Sequence, residues 1–84
     1  MRAVVLYSRD GCCLCDDARE VLVAVQERYP ATFSLQECDI DTDDRLLRAY
    51  LERIPVITID GQEAFELFVN PDELERRLGI VGAG

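Results

Sequence analysis

Eighty-four residues, 49% of them hydrophobic, with a net charge of −8, describe one small acidic globular domain spanning residues 1–84. The acidity argues against nucleic acid and against anionic membrane surfaces, which need clustered Lys and Arg, and no apolar run approaches the ~18 residues of a membrane helix. The absence of histidine removes Cys-His and Ser-His catalysis and His-ligated zinc in one step.

Arg2 to Tyr7 (RAVVLY) is a short, β-branched run closed by Ser8-Arg9-Asp10-Gly11, the pattern of a buried strand. It is too short for a signal peptide and runs straight into charge, so the protein is expected in the cytoplasm, where thiols stay reduced. From Leu14 the period changes. Leu14, Ala18, Val21, Leu22 and Val25 recur at helical spacing, and Tyr29-Pro30 ends the helix because the residue before proline leaves the α region.

Thr32 to Cys38 alternates as a second strand, and the acidic run Asp39 to Asp44 supplies caps for a second helix. That helix is predicted over Asp43 to Glu52, burying Leu46, Leu47, Tyr50 and Leu51. A calcium loop in DIDTDD fails, because its sixth position is Asp44 instead of glycine and its twelfth is Tyr50 instead of glutamate. Ile54 to Ile59 (IPVITI) is a third strand, and Asp60-Gly61 turns the chain back antiparallel over Glu63 to Phe68. Asn70 as N-cap, Pro71 at the first helical position, a capping box through Glu73, a Val69–Leu74 staple and Gly79 as terminator define the last helix. The order is β-α-β-α-β-β-α: a right-handed βαβ unit, then a hairpin and a covering helix.

The chemistry concentrates in GCCLCDD, Gly11 to Asp17, which holds three of the four cysteines. It falls between the first strand and the first helix, where free amides and the helix dipole favour a thiolate. Residues three apart share a helix face, whereas neighbours or residues two apart do not, so Cys12 and Cys15 are the redox-active disulfide pair. Cys12, nearer the terminus and solvent, is the expected nucleophile and the more acidic thiol; Cys15 is the resolving thiol. Asp16 and Asp17 oppose the dipole, and Arg9 offsets them if it folds back over Cys12. Cys13 reads as a flanking spectator and Cys38 as a strand-end thiol.

The C-x-x-C opening a helix, the second βα unit and the proline-initiated hairpin together resemble the thioredoxin-like fold in its short glutaredoxin-type form, a four-stranded mixed sheet flanked by helices. GCCLCDDA, Gly11 to Ala18, is most similar to small bacterial glutaredoxin-like proteins with the motif G-C-x-L-C-D-x-A. The resemblance runs from Arg2 to about Gly79. It implies that Pro55 is cis and packs against the cysteine pair, with the Ile54 backbone presented to an incoming thiol or peptide. It also implies substrate or thiol contacts from Arg9, Asn70 and Asp72, the last two beside free amides of the final helix that would receive a carboxylate. The chain departs from glutathione-using relatives: Cys-Cys-Leu-Cys replaces Cys-Pro-Tyr-Cys, Arg9 stands for a lysine, and Phe68-Val69-Asn70-Pro71-Asp72 lacks their double glycine.

The expected activity is thiol–disulfide exchange, an oxidoreductase acting on disulfide-containing proteins or small thiols. No tightly bound cofactor is expected, no metal and no partner subunit; glutathione or another low-molecular-weight thiol is the candidate co-reactant. Electrons would come from a reductase or a thiol pool. Two alternatives come from other classes. One is a thiolate carrier or sensor of a metal or iron–sulfur cluster, built on Cys12, Cys13, Cys15 and Cys38 or on Cys12 shared between two chains. The other is a thioredoxin-fold binding protein without turnover.

Overall fold

A computed structural model describes residues 1–80. Four strands, β1 (Arg2–Ser8), β2 (Phe33–Asp39), β3 (Val56–Ile59) and β4 (Gln62–Glu66), form one sheet in the order β2-β1-β3-β4. The β1–β2 pair is parallel, with Tyr7 opposite Cys38, and the other two pairs are antiparallel. Three helices complete the chain: α1 (Cys13–Arg28), α2 (Asp44–Tyr50) and α3 (Pro71–Arg77). The fold is thioredoxin-like, an α/β sheet of mixed strand direction with three helices.

The period-2 alternation of β1 sends Val4 and Leu6 into the core, where they meet Leu22 and Val25 of α1, Ile57 of β3 and Leu74 of α3. β3 is buried at all four positions, as a central strand must be. Asp60 and Gly61 both take positive φ (53° and 85°), the geometry of a two-residue hairpin turn, and the Asp60 side chain accepts a hydrogen bond from the Ala3 amide at 3.0 Å. Ala64 is the extra residue of a bulge in β4, since Phe65 pairs with Ile57 while Glu63 pairs with the next residue, Thr58.

Two sequence expectations are corrected. The buried stripe of α1 is Cys15, Ala18, Leu22 and Val25, and Leu14 is 49% exposed. Leu14 shares helical spacing with Ala18 and Val25 as well as Cys15 does, so the period alone does not say which flank faces the sheet. α2 buries none of its residues, and Leu51 is exposed. At seven residues it is only about 10 Å long, and it touches the sheet through Tyr50, whose ring lies 4.9 Å from that of Tyr7. The acidic run does cap, though at two places: Asp39 caps a 3₁₀ turn, Ile40–Thr42, and Asp43 caps α2.

The α3 grammar is nearly as expected. The Asn70 side chain accepts from the amides of Asp72 (2.9 Å) and Glu73 (3.1 Å). The Gly79 and Ile80 amides close on the carbonyls of Arg76 and Glu75, with Gly79 at φ 77°. The reciprocal half of the capping box is missing, because the Glu73 carboxylate pairs with Arg76 and Arg77 instead of turning back to Asn70.

Candidate active site

β1 stops at Ser8, and Gly11 at φ 77° turns the chain into α1 through a conformation that a side chain disfavours. Cys12 is the N-cap of α1, with extended backbone angles of −92° and 108°. Its Sγ accepts a hydrogen bond from the Cys15 amide at 3.2 Å, the place a serine or aspartate oxygen takes in an ordinary cap. Cys12 is half-buried, Cys13 is exposed, Cys15 is 0% exposed, and all are thiols.

Burial first, and then the hydrogen bond and charge of Cys12, push the Cys15 thiol up to about 12. The Arg9 backbone and the Arg19 guanidinium pull it the other way. The fully enclosed Cys15 thiol therefore holds its proton well above the usual cysteine range.

Sequence reading missed the network behind Cys15. Arg19 binds Glu37 at 2.7 and 2.5 Å and Asp16 at 2.7 Å, and the buried Ser8 hydroxyl donates to Glu37 at 2.7 Å. The Asp16 charge is therefore met locally by Arg19, an i,i+3 pairing visible in the sequence; the partnership with Glu37 depends on the β1–β2 register and is not. Arg9 does not fold over Cys12. Its Nε donates to Asp41 at 3.0 Å, because the 3₁₀ turn after β2 brings a carboxylate beside the β1 exit.

Pro55 joins this edge of the sheet. Val56 pairs with Tyr7, which places Pro55 level with Ser8, and the Ile54–Pro55 peptide bond is cis. The Ile54 amide donates to the Tyr50 carbonyl at 3.0 Å, so this donor is already used. The Pro55 carbonyl accepts from the Leu67 amide at 2.9 Å, and Leu67 sits at φ 71°. Asn70 and Asp72 do not form an open carboxylate site: the amides expected to be free are those that the Asn70 side chain occupies.

Cys38 lies on the other face of the sheet. It is level with Tyr7, whose ring meets Tyr50 of α2, whereas Leu6 and Ser8 face α1. Burial first, then Tyr50 and Cys38, push the Tyr7 phenol up. Cys38 is thereby separated from the other three sulfurs. Among the described residues no group of three Cys, Asp or Glu side chains converges at metal-binding spacing, so the four-thiolate site weighed from the sequence is not assembled within the chain. No helix among the described residues is long and apolar enough to cross a membrane.

A cleft of about 80 Å³ opens between Leu14, Asp17, Ala18 and Val21, on the first half of the helix that Cys12 caps, and Leu67, Phe68 and Val69 before α3. Nothing in the sequence marked it, because its walls lie about fifty positions apart.

Comparison with known proteins agrees with this architecture. The glutaredoxin-like domain family (DUF836) matches residues 3–79. A glutaredoxin-like protein YDR286C homolog of Dictyostelium discoideum is 32% identical over 74 residues, covering 81% of this chain and 67% of that protein. Among solved structures, the chain is similar to protein XcR50 from X. campestris, with 32% identity, a TM-score of 0.74 and coverage of 90% of this chain and 95% of that one. Protein Ne2328 from Nitrosomonas europaea gives 29% identity and a TM-score of 0.76, covering 90% of this chain and 89% of its own. Chloroplastic thioredoxin z, at 18% identity and a TM-score of 0.78 over all of this chain and 80% of its own, shares the fold. A thioredoxin-like sheet with a Cys-x-x-C pair capping its first helix, matched over nearly its whole length, places the chain in the glutaredoxin-like domain family.

Proposed function

We propose that the protein is a thiol–disulfide oxidoreductase acting through Cys12 and Cys15. The observation that carries the reading is the asymmetry of the pair: an accessible N-cap sulfur hydrogen-bonded by the amide of a fully buried, protonated partner. The Cys12 thiolate attacks one sulfur of a substrate disulfide. A Cys12–substrate bond forms, the substrate disulfide breaks, and the second substrate sulfur leaves as a thiolate and takes a proton.

That step also activates Cys15. Once Cys12 is in a mixed disulfide it carries no charge, and two of the causes that hold the Cys15 proton disappear, while the pull of Arg19 remains. Cys15 then gives up its proton as it attacks Cys12 Sγ, and the substrate sulfur leaves, taking that proton, as the second thiol. The pair has given two electrons to the substrate and become a Cys12–Cys15 disulfide.

The proposed substrates are disulfide-containing proteins or small thiol disulfides, and a reductase or the thiol pool of the cytoplasm returns the electrons. The protein works as a monomer with no bound cofactor. Redox titration in defined thiol–disulfide buffers, with acid quench, alkylation and mass mapping, tests this. The expected result is a reversible Cys12–Cys15 couple within about −270 to −120 mV, the span of thioredoxin-fold proteins. Failure of Cys12 and Cys15 to pair at any potential overturns it.

A further inference from the structure

The cleft between the first half of α1 and the segment before α3 has core residues Ala18 and Val69 at its base and exposed apolar side chains at its rim. Phe68 is 70% exposed and Leu67 45%, and Leu14, two residues after Cys12, is 49% exposed. Leu67 is held at positive φ, where glycine would sit without strain, by hydrogen bonds from its amide to the Arg53 and Pro55 carbonyls. A leucine held in a glycine conformation with its side chain half in water gives the core little in return for its strain, which points to a role for this wall other than folding.

The unpaired charge at this wall is negative. Asp17 lines the cleft, and neither it nor Asp10 has an ion-pair partner among the described residues. The nearby arginines are engaged: Arg9 with Asp41, Arg19 with Asp16 and Glu37, Arg53 with Glu63 and Glu66. Glutathione, a net anion whose carboxylates need free amides or cations, finds neither here, since Asn70 occupies the α3 amides.

We propose, building on the redox reading above, that this cleft receives an apolar side chain adjoining the reacting cysteine of a polypeptide disulfide that also carries a basic residue, with Asp17 facing the basic group. The exchange is the one already described, with two electrons passing from the Cys12–Cys15 dithiol to the polypeptide disulfide. Apolar contact selects the side chain, and the unpaired carboxylates raise the encounter rate of cationic partners and lower that of anionic ones.

The test uses the full chain, reduced and freed of reductant, in single-turnover reactions with three probes. Two are symmetric disulfides of acetylated, amidated peptides, one of sequence Cys-Leu-Lys and one of sequence Cys-Ser-Glu. The third is the neutral bis(2-hydroxyethyl) disulfide. Each rate is divided by that of the same disulfide with dithiothreitol, which removes differences in intrinsic reactivity. The expected result is a preference of about tenfold or more for the leucine–lysine peptide at low salt, shrinking in 0.5 M KCl as the charges are screened. Phe68→Ser should weaken the leucine-peptide rate about fivefold, and Asp17→Asn should remove most of the salt dependence.

Equal normalised rates for the two peptides overturn the proposal and leave the redox reading standing. A preference that both variants retain in full also overturns it. No reaction with any of the three disulfides overturns the redox reading and this proposal with it. The wild-type preference and its salt dependence decide the matter even if a variant fails to fold.

Discussion

The Cys15 amide lies 3.2 Å from Cys12 Sγ, while the Cys15 sulfur itself is wholly enclosed by the core. One residue thus supplies both a hydrogen bond to the accessible thiol and the concealed thiol that follows it. The two cysteines should then fail in different ways. Cys12→Ser is expected to abolish exchange. Cys15→Ser should still attack and stall as a stable mixed disulfide at Cys12, seen as added substrate mass on the intact protein. Brief alkylation of the folded, reduced protein at neutral pH should label Cys12 and Cys13 and spare Cys15. Labelling of Cys15 as fast as Cys12 would remove the asymmetry from which the mechanism is built.

The raised Cys15 pKa has a consequence for stability whose sign is fixed. A free cysteine loses its proton near 9, and folded Cys15 holds it to about 12, so the folded state binds more protons between these values. This contribution is fully present below pH 9 and is lost as pH rises toward 12. Urea unfolding of the reduced protein should therefore show stability falling across that window. In Cys15→Ala the slope should be shallower, with a lower plateau below pH 9 from the lost core contact. Equal alkaline slopes in the two proteins would mean that Cys15 ionises as readily folded as unfolded.

Arg19 links two carboxylates to the resolving thiol, and its replacement should be felt in both stability and rate. Hydrogen bonds from Arg19, ahead of that from Ser8, hold the Glu37 carboxyl below the usual carboxylate range. A depressed carboxyl stabilises the fold above its unfolded pKa, near 4.5, and this is lost as pH falls through the folded value. Both partners are more than a third exposed, so solvent screening limits the loss in Arg19→Met to about 1 kcal/mol. The variant should show a flatter acid limb. It should also release substrate from the mixed disulfide more slowly, since Cys15 loses its cationic neighbour, and raising the pH should restore part of that rate. A purely structural role for Arg19 predicts the stability change without the slowed, pH-rescued second step.

The local contacts of this site are legible in the sequence and the long-range ones are not, for reasons that differ from residue to residue. The contact of Cys12 with the Cys15 amide, the Asn70 cap and the Asp60-Gly61 turn depend on residues within four positions of one another, where spacing fixes geometry. Arg9 was misplaced because its partner, Asp41, lies 32 residues away and is delivered by a 3₁₀ turn with no sequence period of its own. Glu73 was given to Asn70 because the capping pattern was complete, yet Arg76 and Arg77 stood equally near and carried full charge. Leu14 was assigned inward because two flanks of α1 have the same period. The exposed leucine and the turned-away arginine are consequences of tertiary placement, whereas the occupied amides follow from the local Asn70 cap.

Leu67 offers a separate test of whether that face is held under strain. An L-residue in the left-handed region costs about 1–2 kcal/mol relative to its relaxed conformation, and glycine avoids most of that cost. In helices and strands alanine is more stable than glycine by roughly 0.5–1 kcal/mol. At position 67 the order should reverse. Leu67→Ala removes the side-chain contacts and keeps the strain, whereas Leu67→Gly removes both, so the glycine variant should be the more stable of the two by about 1 kcal/mol. Both variants lose the same wall of the cleft and should discriminate equally poorly between apolar and polar peptide disulfides. Urea midpoints measured side by side read the first comparison, and peptide exchange rates read the second. If alanine proves the more stable, the backbone at Leu67 is relaxed, and no strain is held at this wall of the cleft.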